Sequence, residues 1–509
     1  MVGTRFVDRP ELEEYLRWII AGVYHSLASW DKAEAQTRSL MSTAQKRDPD
    51  SAEFYKYQGF LTHLLWHSGK LDGEALGKGE EAVKALERLL GPEDETTQGA
   101  MNELAMAYDD VGRGVEAIAL WERVRDVASR NLGADHANTL TVLANLAAGY
   151  QKANRPDLAV PLFEDVVRRQ EATLGREHQN TQMTRSNLGY IYFMMNRPKD
   201  AVPLLELVYQ GSKRYPEFRG NTPVLIDAYR RSGQPEKALP LLEEKVAETT
   251  AERGPDHPET LSYLQVLATA CREAGKLDRA IPLYEDVLKR REAKFGRNDR
   301  ATQTTAANLG SAYIAAGRPR DGIPLLEEAR ESAKQYTELA WVNGDLLGAY
   351  EKAGETAKFA DLLQQGLAGA REKLPPDSPQ LAGMLAQVST GLVLQKKWTE
   401  AEPLLRECLA IREKREPDDW RTFNTRSMLG GALLGREKYA EAEPLLLAGY
   451  EGMKSREAMI PEAAKVRLSE AIDRLVGLYT AMGKDDEVRR WQSERSNYPE
   501  AGPMPAEKK

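Results

Sequence analysis

The phrase Leu-x3-Tyr-x3-Gly-x4-Ala returns along the chain, sometimes with one member substituted, and it constrains the fold more than any other feature. Its first member falls at Leu104, Leu146, Leu188, Leu225, Leu267, Leu309, Leu346, Val388, Leu429 and Leu475. The spacing is mostly about 42 residues and drops to 37 after Leu188 (188 to 225) and after Leu309 (309 to 346). Self-similarity at such a period means one small unit repeated, each with an apolar face that only a neighbour can cover. The expected fold is therefore an all-α α-solenoid, in which the 509 residues count repeats and not the volume of one core.

Within a unit, Thr139–Tyr150 places Leu143, Leu146 and Tyr150 three and four residues apart, the mark of one helical face. The turn Asn154-Arg-Pro-Asp157 follows, and Leu158–Thr173 repeats the pattern with Ala159, Leu162, Val166 and Val167, which predicts an antiparallel second helix. Small residues at Ala117, Ala159, Ala201, Ala238, Ala280, Gly322, Ala401 and Ala442 mark where the two helices should approach most closely. Proline recurs two residues later, at Pro161, Pro203, Pro240, Pro282, Pro324, Pro403 and Pro444. Deep in a helix it would cost about 3 kcal/mol, so its repetition predicts an early helical position or a shared slight bend.

Between hairpins a second phrase recurs, as Leu132-Gly-Ala-Asp-His136, Leu174-Gly-Arg-Glu-His178, Gly254-Pro-Asp-His-Pro258 and Phe295-Gly-Arg-Asn-Asp299. Its glycine is expected to end the preceding helix in a left-handed cap, and Pro258 to open the next helix. The phrase is missing at Tyr215-Pro-Glu-Phe and Tyr336-Thr-Glu-Leu, within the two 37-residue intervals, so those junctions should be tighter. The expected organisation is irregular N-terminal hairpins over 1–91, a repeat array over 92–496 and a frayed, proline-containing, disordered tail over 497–509.

Composition narrows the function. A net charge of -8 with interspersed signs argues against nucleic acid as the main partner. Met1-Val-Gly-Thr-Arg-Phe lacks the apolar run of a secretory signal, and no stretch of about 18 apolar residues could span a membrane, which predicts a soluble, cytoplasmic chain with no membrane partner. Cys271 and Cys408 lie far apart in the ladder and read as small buried side chains.

The hairpin of about 42 residues, with phrases such as Leu132-Gly-Ala-Asp-His136 and Ala280-Ile-Pro-Leu-Tyr284, resembles the tetratricopeptide repeat in its kinesin-light-chain-like variety. That resemblance implies a right-handed superhelix with a concave groove for a protein or peptide partner. Ala401–Lys414, Trp420–Leu434 and Tyr439–Gly452 further resemble the C-terminal repeat region of planctomycete-type bacterial serine/threonine kinases, as the hairpin around Trp18–Ala33 resembles the first repeat after the kinase portion. Nothing in the sequence resembles the kinase glycine-rich loop, His-Arg-Asp loop or Asp-Phe-Gly site, so no catalytic activity is carried over. The expectation is a non-catalytic scaffold without cofactor, or alternatively the detached regulatory arm of a kinase system. The oligomeric state is left open.

Few residues invite chemistry. Gly73-Glu-Ala-Leu-Gly-Lys-Gly79 has the wrong spacing for a phosphate loop and reads as a flexible turn. His63 and His67 stand four residues apart on a predicted helix, yet no third ligand is evident from spacing, so no metal is expected. His136, His178 and His257 recur with the inter-hairpin loop and read as loop and capping residues. The polar candidates lie on first helices, where Asn145, Asn187 and Asn308 each precede a ladder leucine. Such amides either meet an extended peptide backbone or bond between adjacent helices. Arg230 and Arg272 occupy a second inward phase and could clasp a carboxylate, with Tyr190 and Phe193 adding flat apolar contact and Asp227 offsetting part of the charge.

Overall fold

The computed structural model describes residues 10–498, and every α-helix in it belongs to a hairpin. The hairpins run α1 (Pro10–Ser26) with α2 (Trp30–Arg47), α3 (Ala52–His67) with α4 (Gly73–Leu90), α5 (Glu95–Asp110) with α6 (Gly114–Asn131), and α7 (Ala137–Lys152) with α8 (Pro156–Thr173). They continue through α9 (Gln179–Met194) with α10 (Pro198–Gly211), α11 (Thr222–Arg231) with α12 (Pro235–Arg253), α13 (Pro258–Glu273) with α14 (Leu277–Phe295), and α15 (Arg300–Ala315) with α16 (Pro319–Ser332). The last are α17 (Val342–Ala353) with α18 (Thr356–Lys373), α19 (Pro379–Leu394) with α20 (Trp398–Arg415), α21 (Trp420–Leu434) with α22 (Tyr439–Lys454), and α23 (Val466–Ala481) with α24 (Asp485–Arg495). The architecture is an all-α solenoid with no strand among the described residues. Two compact units, Met1–Glu248 and Thr249–Lys509, divide it.

Stacking follows from the ladder. All ten ladder residues from Leu104 to Leu475 are buried, and the small residues of the second helices from Ala117 to Ala442 are sealed beneath them. At Gly322 a Cβ would come within 2.5 Å of the Gly310 carbonyl oxygen, so the backbones of α15 and α16 nearly touch. The recurrent prolines, from Pro161 in α8 to Pro444 in α22, are each the sixth residue of their helix, in the second turn, and every one of these helices continues past its proline. Each proline lacks the N–H that would bond the carbonyl four residues earlier, in the first turn.

A polar clamp joins successive hairpins. The ladder tyrosine of a first helix donates its hydroxyl to a glutamate on the preceding second helix: Tyr108 to Glu80 at 2.8 Å, Tyr150 to Glu122 at 2.6 Å, Tyr229 to Glu206 at 2.8 Å and Tyr350 to Glu327 at 2.8 Å. Where Cys271, Leu392 and Leu433 replace the tyrosine, no hydroxyl is present to form it.

Three expectations change. Gly73–Gly79 is the opening of α4 and not a turn, because Asp72 caps the helix by accepting from Ala75 N at 2.7 Å. Gly79 fits closely there, since a Cβ would lie 2.9 Å from Thr62 Cγ2. Gly133, Gly175, Gly254 and Gly296 all have the positive φ expected past a helix end, but Gly296 departs from a left-handed cap: its φ of 86° and ψ of 164° lie in a region open essentially to glycine alone, from which the chain extends to the next N-cap. At the two shortened junctions helix is lost as well as loop. Helices α10 and α16 stop at 14 residues, and 3₁₀ turns at Pro216–Asn221 and Thr337–Leu339 bury Phe218 and Leu339 in place of the missing turn. Cys271 and Cys408 are both buried. Of the tail expected from residue 497, Asn497 and Tyr498 are described, with Tyr498 buried, and 499–509 lie outside the described residues.

Candidate functional site

Successive first helices touch one another, α5 with α7 and α7 with α9, more than successive second helices do, so the first helices line the inner side of the local curvature. The candidate residues all fall on first helices.

The amides differ in their contacts. Asn145 donates from Nδ2 to Asn102 Oδ1 at 3.1 Å, and the same oxygen accepts from Trp121 Nε1 at 3.1 Å. Asn145 therefore ties α7 to α5 and serves packing. Asn187 on α9 and Asn308 on α15 are half-buried, and neither has a side-chain hydrogen bond among the described residues. Their donors and acceptor are available to a ligand.

Around Asn187 the helix surface is apolar. Met183, Asn187, Tyr190 and Met194 are spaced i, i+4, i+7 and i+11, one face of α9, and Met183, Tyr190 and Met194 are exposed by 50%, 41% and 63%. The two methionines were absent from the residues singled out by sequence, although the helical spacing from Tyr190 points to them. At the corresponding places α7 carries Thr141, Ala148 and Lys152, so the stripe is a property of α9 and not of the repeat. Phe193 lies beside the stripe, half-buried, with the Arg231 guanidinium 4.6 Å from its ring centre.

The arginines are less available. Arg230 is mostly buried and bonds Asp227 Oδ1 from Nη1 at 3.1 Å, the neutralisation that the neighbouring aspartate foreshadowed. Arg272, in the second unit, is half-buried. His136, His178 and His257 act as N-caps, each accepting on Nδ1 from a backbone N–H, at 3.3 Å, 3.2 Å and 3.2 Å.

A second cluster forms in the first unit where sequence reasoning saw only a pair. His25, from the last turn of α1, joins His63 and His67 of α3, and His25 Nε2 lies 2.9 Å from His63 Nε2. The Glu103 carboxylate meets His63 Nδ1. Burial, and then the neighbouring His63, hold His25 and His67 below the usual imidazole range. A cavity of about 420 Å³ lined by Trp18, Lys56, Phe60, Glu95 and Glu103 opens beside it.

Models of the tetratricopeptide repeat match residues 96–172 and 223–293, which span α5–α8 and α11–α14, and others of the same description match 181–215 and 381–418. The chain belongs to the tetratricopeptide-repeat family. Similar solved structures include the nearly identical TPR-like repeats of a putative kinesin light chain from Podosopora anserina. They are 30% identical over 38% of this chain and 94% of that one, with a TM-score of 0.33. A second crystal structure of those repeats is 29% identical with the same coverage and TM-score. BtubC (BKLC) from P. vanneervenii is 16% identical over 53% of this chain and 91% of that one, with a TM-score of 0.31. No curated protein matches the sequence. No helix among the described residues of this tetratricopeptide chain is long and apolar enough to cross a membrane.

Proposed function

We propose that this tetratricopeptide array is a protein-interaction scaffold that holds an extended peptide or protein segment along the inner face of α9. One observation carries the reading: an exposed Met183, Tyr190 and Met194 stripe surrounds the Asn187 amide, which has no side-chain partner among the described residues. The amide can donate to and accept from a peptide backbone, while methionine side chains adapt to apolar residues of varied shape. Phe193 and the adjoining Arg231 would border the bound segment. Because Asp227 already engages Arg230, an apolar segment is favoured over an acidic one on this surface. In the second unit Arg272 and Asn308 are proposed as contacts of the same kind. The likeness of Ala401–Gly452 to kinase-associated repeat arrays puts forward one specific partner, a serine/threonine kinase domain on a separate chain.

Selection of a displayed library of linear peptides on the full chain tests the reading. Enriched peptides should carry spaced apolar residues, and Asn187→Ala with Tyr190→Ala should weaken them by about tenfold or more. Peptides bound equally well by that variant would remove α9 as the site.

A further inference from the structure

Three imidazoles from two hairpins converge on one point. His63 and His67 are one turn apart on α3, and His25 arrives from α1, 38 residues earlier in the chain than His63. One ring nitrogen from each lies within 4.8 Å of the other two, and the closest pair, His25 Nε2 and His63 Nε2, is 2.9 Å apart. Zinc–nitrogen bonds of about 2.0–2.1 Å in a tetrahedral site place neighbouring donors about 3.3 Å apart, so these nitrogens bound a space of single-ion size. Without an ion the His25 and His63 nitrogens share a hydrogen bond, which an ion seated between them would replace.

The surroundings orient the rings as a ligand set requires. The Glu103 carboxylate lies against His63 Nδ1, the place from which a carboxylate can orient a ligating imidazole, while His63 Nε2 faces His25. Trp30 lies flat on His67, ring centres 4.7 Å apart and planes 7° from parallel. Phe60 stacks on His63 at 15° between planes and also borders His25. His63 is buried, whereas His67 is exposed, so an ion held by all three would reach solvent on the His67 side.

We propose that His25, His63 and His67 form a three-imidazole site for a divalent first-row transition ion of the zinc class, with Glu103 as the carboxylate behind His63. Imidazole suits zinc, cobalt, nickel and copper, while magnesium and calcium prefer oxygen donors. Three protein donors leave one tetrahedral position for water or an incoming group. The ion would join α1 to α3, and so tie the first hairpin to the second. This site is independent of the peptide surface on α9.

Tag-free full chain, stripped with a chelator, is titrated with zinc by calorimetry and in parallel with cobalt, whose visible absorption reports tetrahedral coordination. One equivalent per chain is expected, with a rise in melting temperature. His67→Ala removes an exposed ring and should weaken zinc by at least about tenfold with helix content unchanged, and Glu103→Gln should weaken it by about tenfold. His136→Ala, an N-cap elsewhere, should leave the affinity as it was. Absence of a tetrahedral cobalt spectrum, or zinc binding that His67→Ala leaves unchanged, would overturn the proposal.

Discussion

The hydroxyl of Tyr108 on α5 donates to the Glu80 carboxylate on α4 at 2.8 Å, and Arg113 completes the contact, bonding Glu80 at 2.7 Å while its guanidinium lies 4.0 Å from the Tyr108 ring centre. One glutamate is thus shared by a phenol and a cation that both belong to the next hairpin. A hydrogen bond to a charged acceptor contributes about 1.5–3 kcal/mol. Tyr108→Phe keeps the ring packing and removes that bond, so urea unfolding should report a loss of about 1–2 kcal/mol. An unchanged midpoint would show that the clamp contributes nothing.

The clamp makes stability depend on alkaline pH. Burial, followed by the hydrogen bond to Glu80, pushes the Tyr108 hydroxyl up to about 12, and Tyr150, Tyr192, Tyr313 and Tyr479 move to the same value with burial again the leading cause. In the unfolded chain a tyrosine releases its proton near pH 10. The folded chain holds the proton more tightly, so this stability is complete below about pH 10 and is lost as pH rises through about 12. Denaturation midpoints measured across that window should fall as tyrosinate absorbance grows. Tyr108→Phe with Tyr150→Phe should flatten the slope.

Close approach of helices predicts opposite signs for one kind of substitution. A Cβ at Gly452 on α22 would collide with the Phe423 ring of α21, while at Gly369 on α18 it would meet nothing within 4 Å. Gly452→Ala should destabilise by about 1–3 kcal/mol through overpacking. Gly369→Ala should stabilise by about 0.5–1 kcal/mol through helix propensity. Calorimetric melting of the two variants checks both, and a shared sign would contradict the packing described.

The hairpins were legible because helical periodicity and the 42-residue ladder are local or repeated signals, so α7 and α8 could be read from Thr139–Thr173 alone. Pairings between particular side chains were not. Asn145 finds Asn102 only after two hairpins stack, and His25 meets His63 from a hairpin where the ladder is least regular. Met183 and Met194 stood at readable spacing from Tyr190, yet methionine at helical spacing reads as core until its exposure is known. Glycines such as Gly73 mislead for the opposite reason, since a good cap at Asp72 outweighs poor helix propensity.

Arg185 on α9 is fully buried and closes the loop after α8: it bonds Glu171 Oε1 from Nη2 at 2.6 Å and the Arg176 carbonyl from Nη1 at 2.7 Å. Arg185→Met removes the closer donor of each acceptor, leaving the Arg176 carbonyl to Gln182 Nε2 at 3.0 Å and Glu171 to the Arg176 guanidinium at 3.5 Å, and a loss of about 1–3 kcal/mol is expected in chemical denaturation. Adding Glu171→Gln should restore part of it. A double variant no more stable than Arg185→Met would show that the Glu171 carboxylate is not the source of the loss.

The affinity of a selected linear peptide for the full chain and for its Tyr190→Ala variant, read by fluorescence anisotropy with Val115→Ala on α6 as control, tests the scaffold account most directly. Tyr190 sits mid-stripe and is 41% exposed, so its loss should leave helix content unchanged and weaken the peptide by about tenfold, while the control binds as the parent does. Equal affinity of all three proteins would contradict the account.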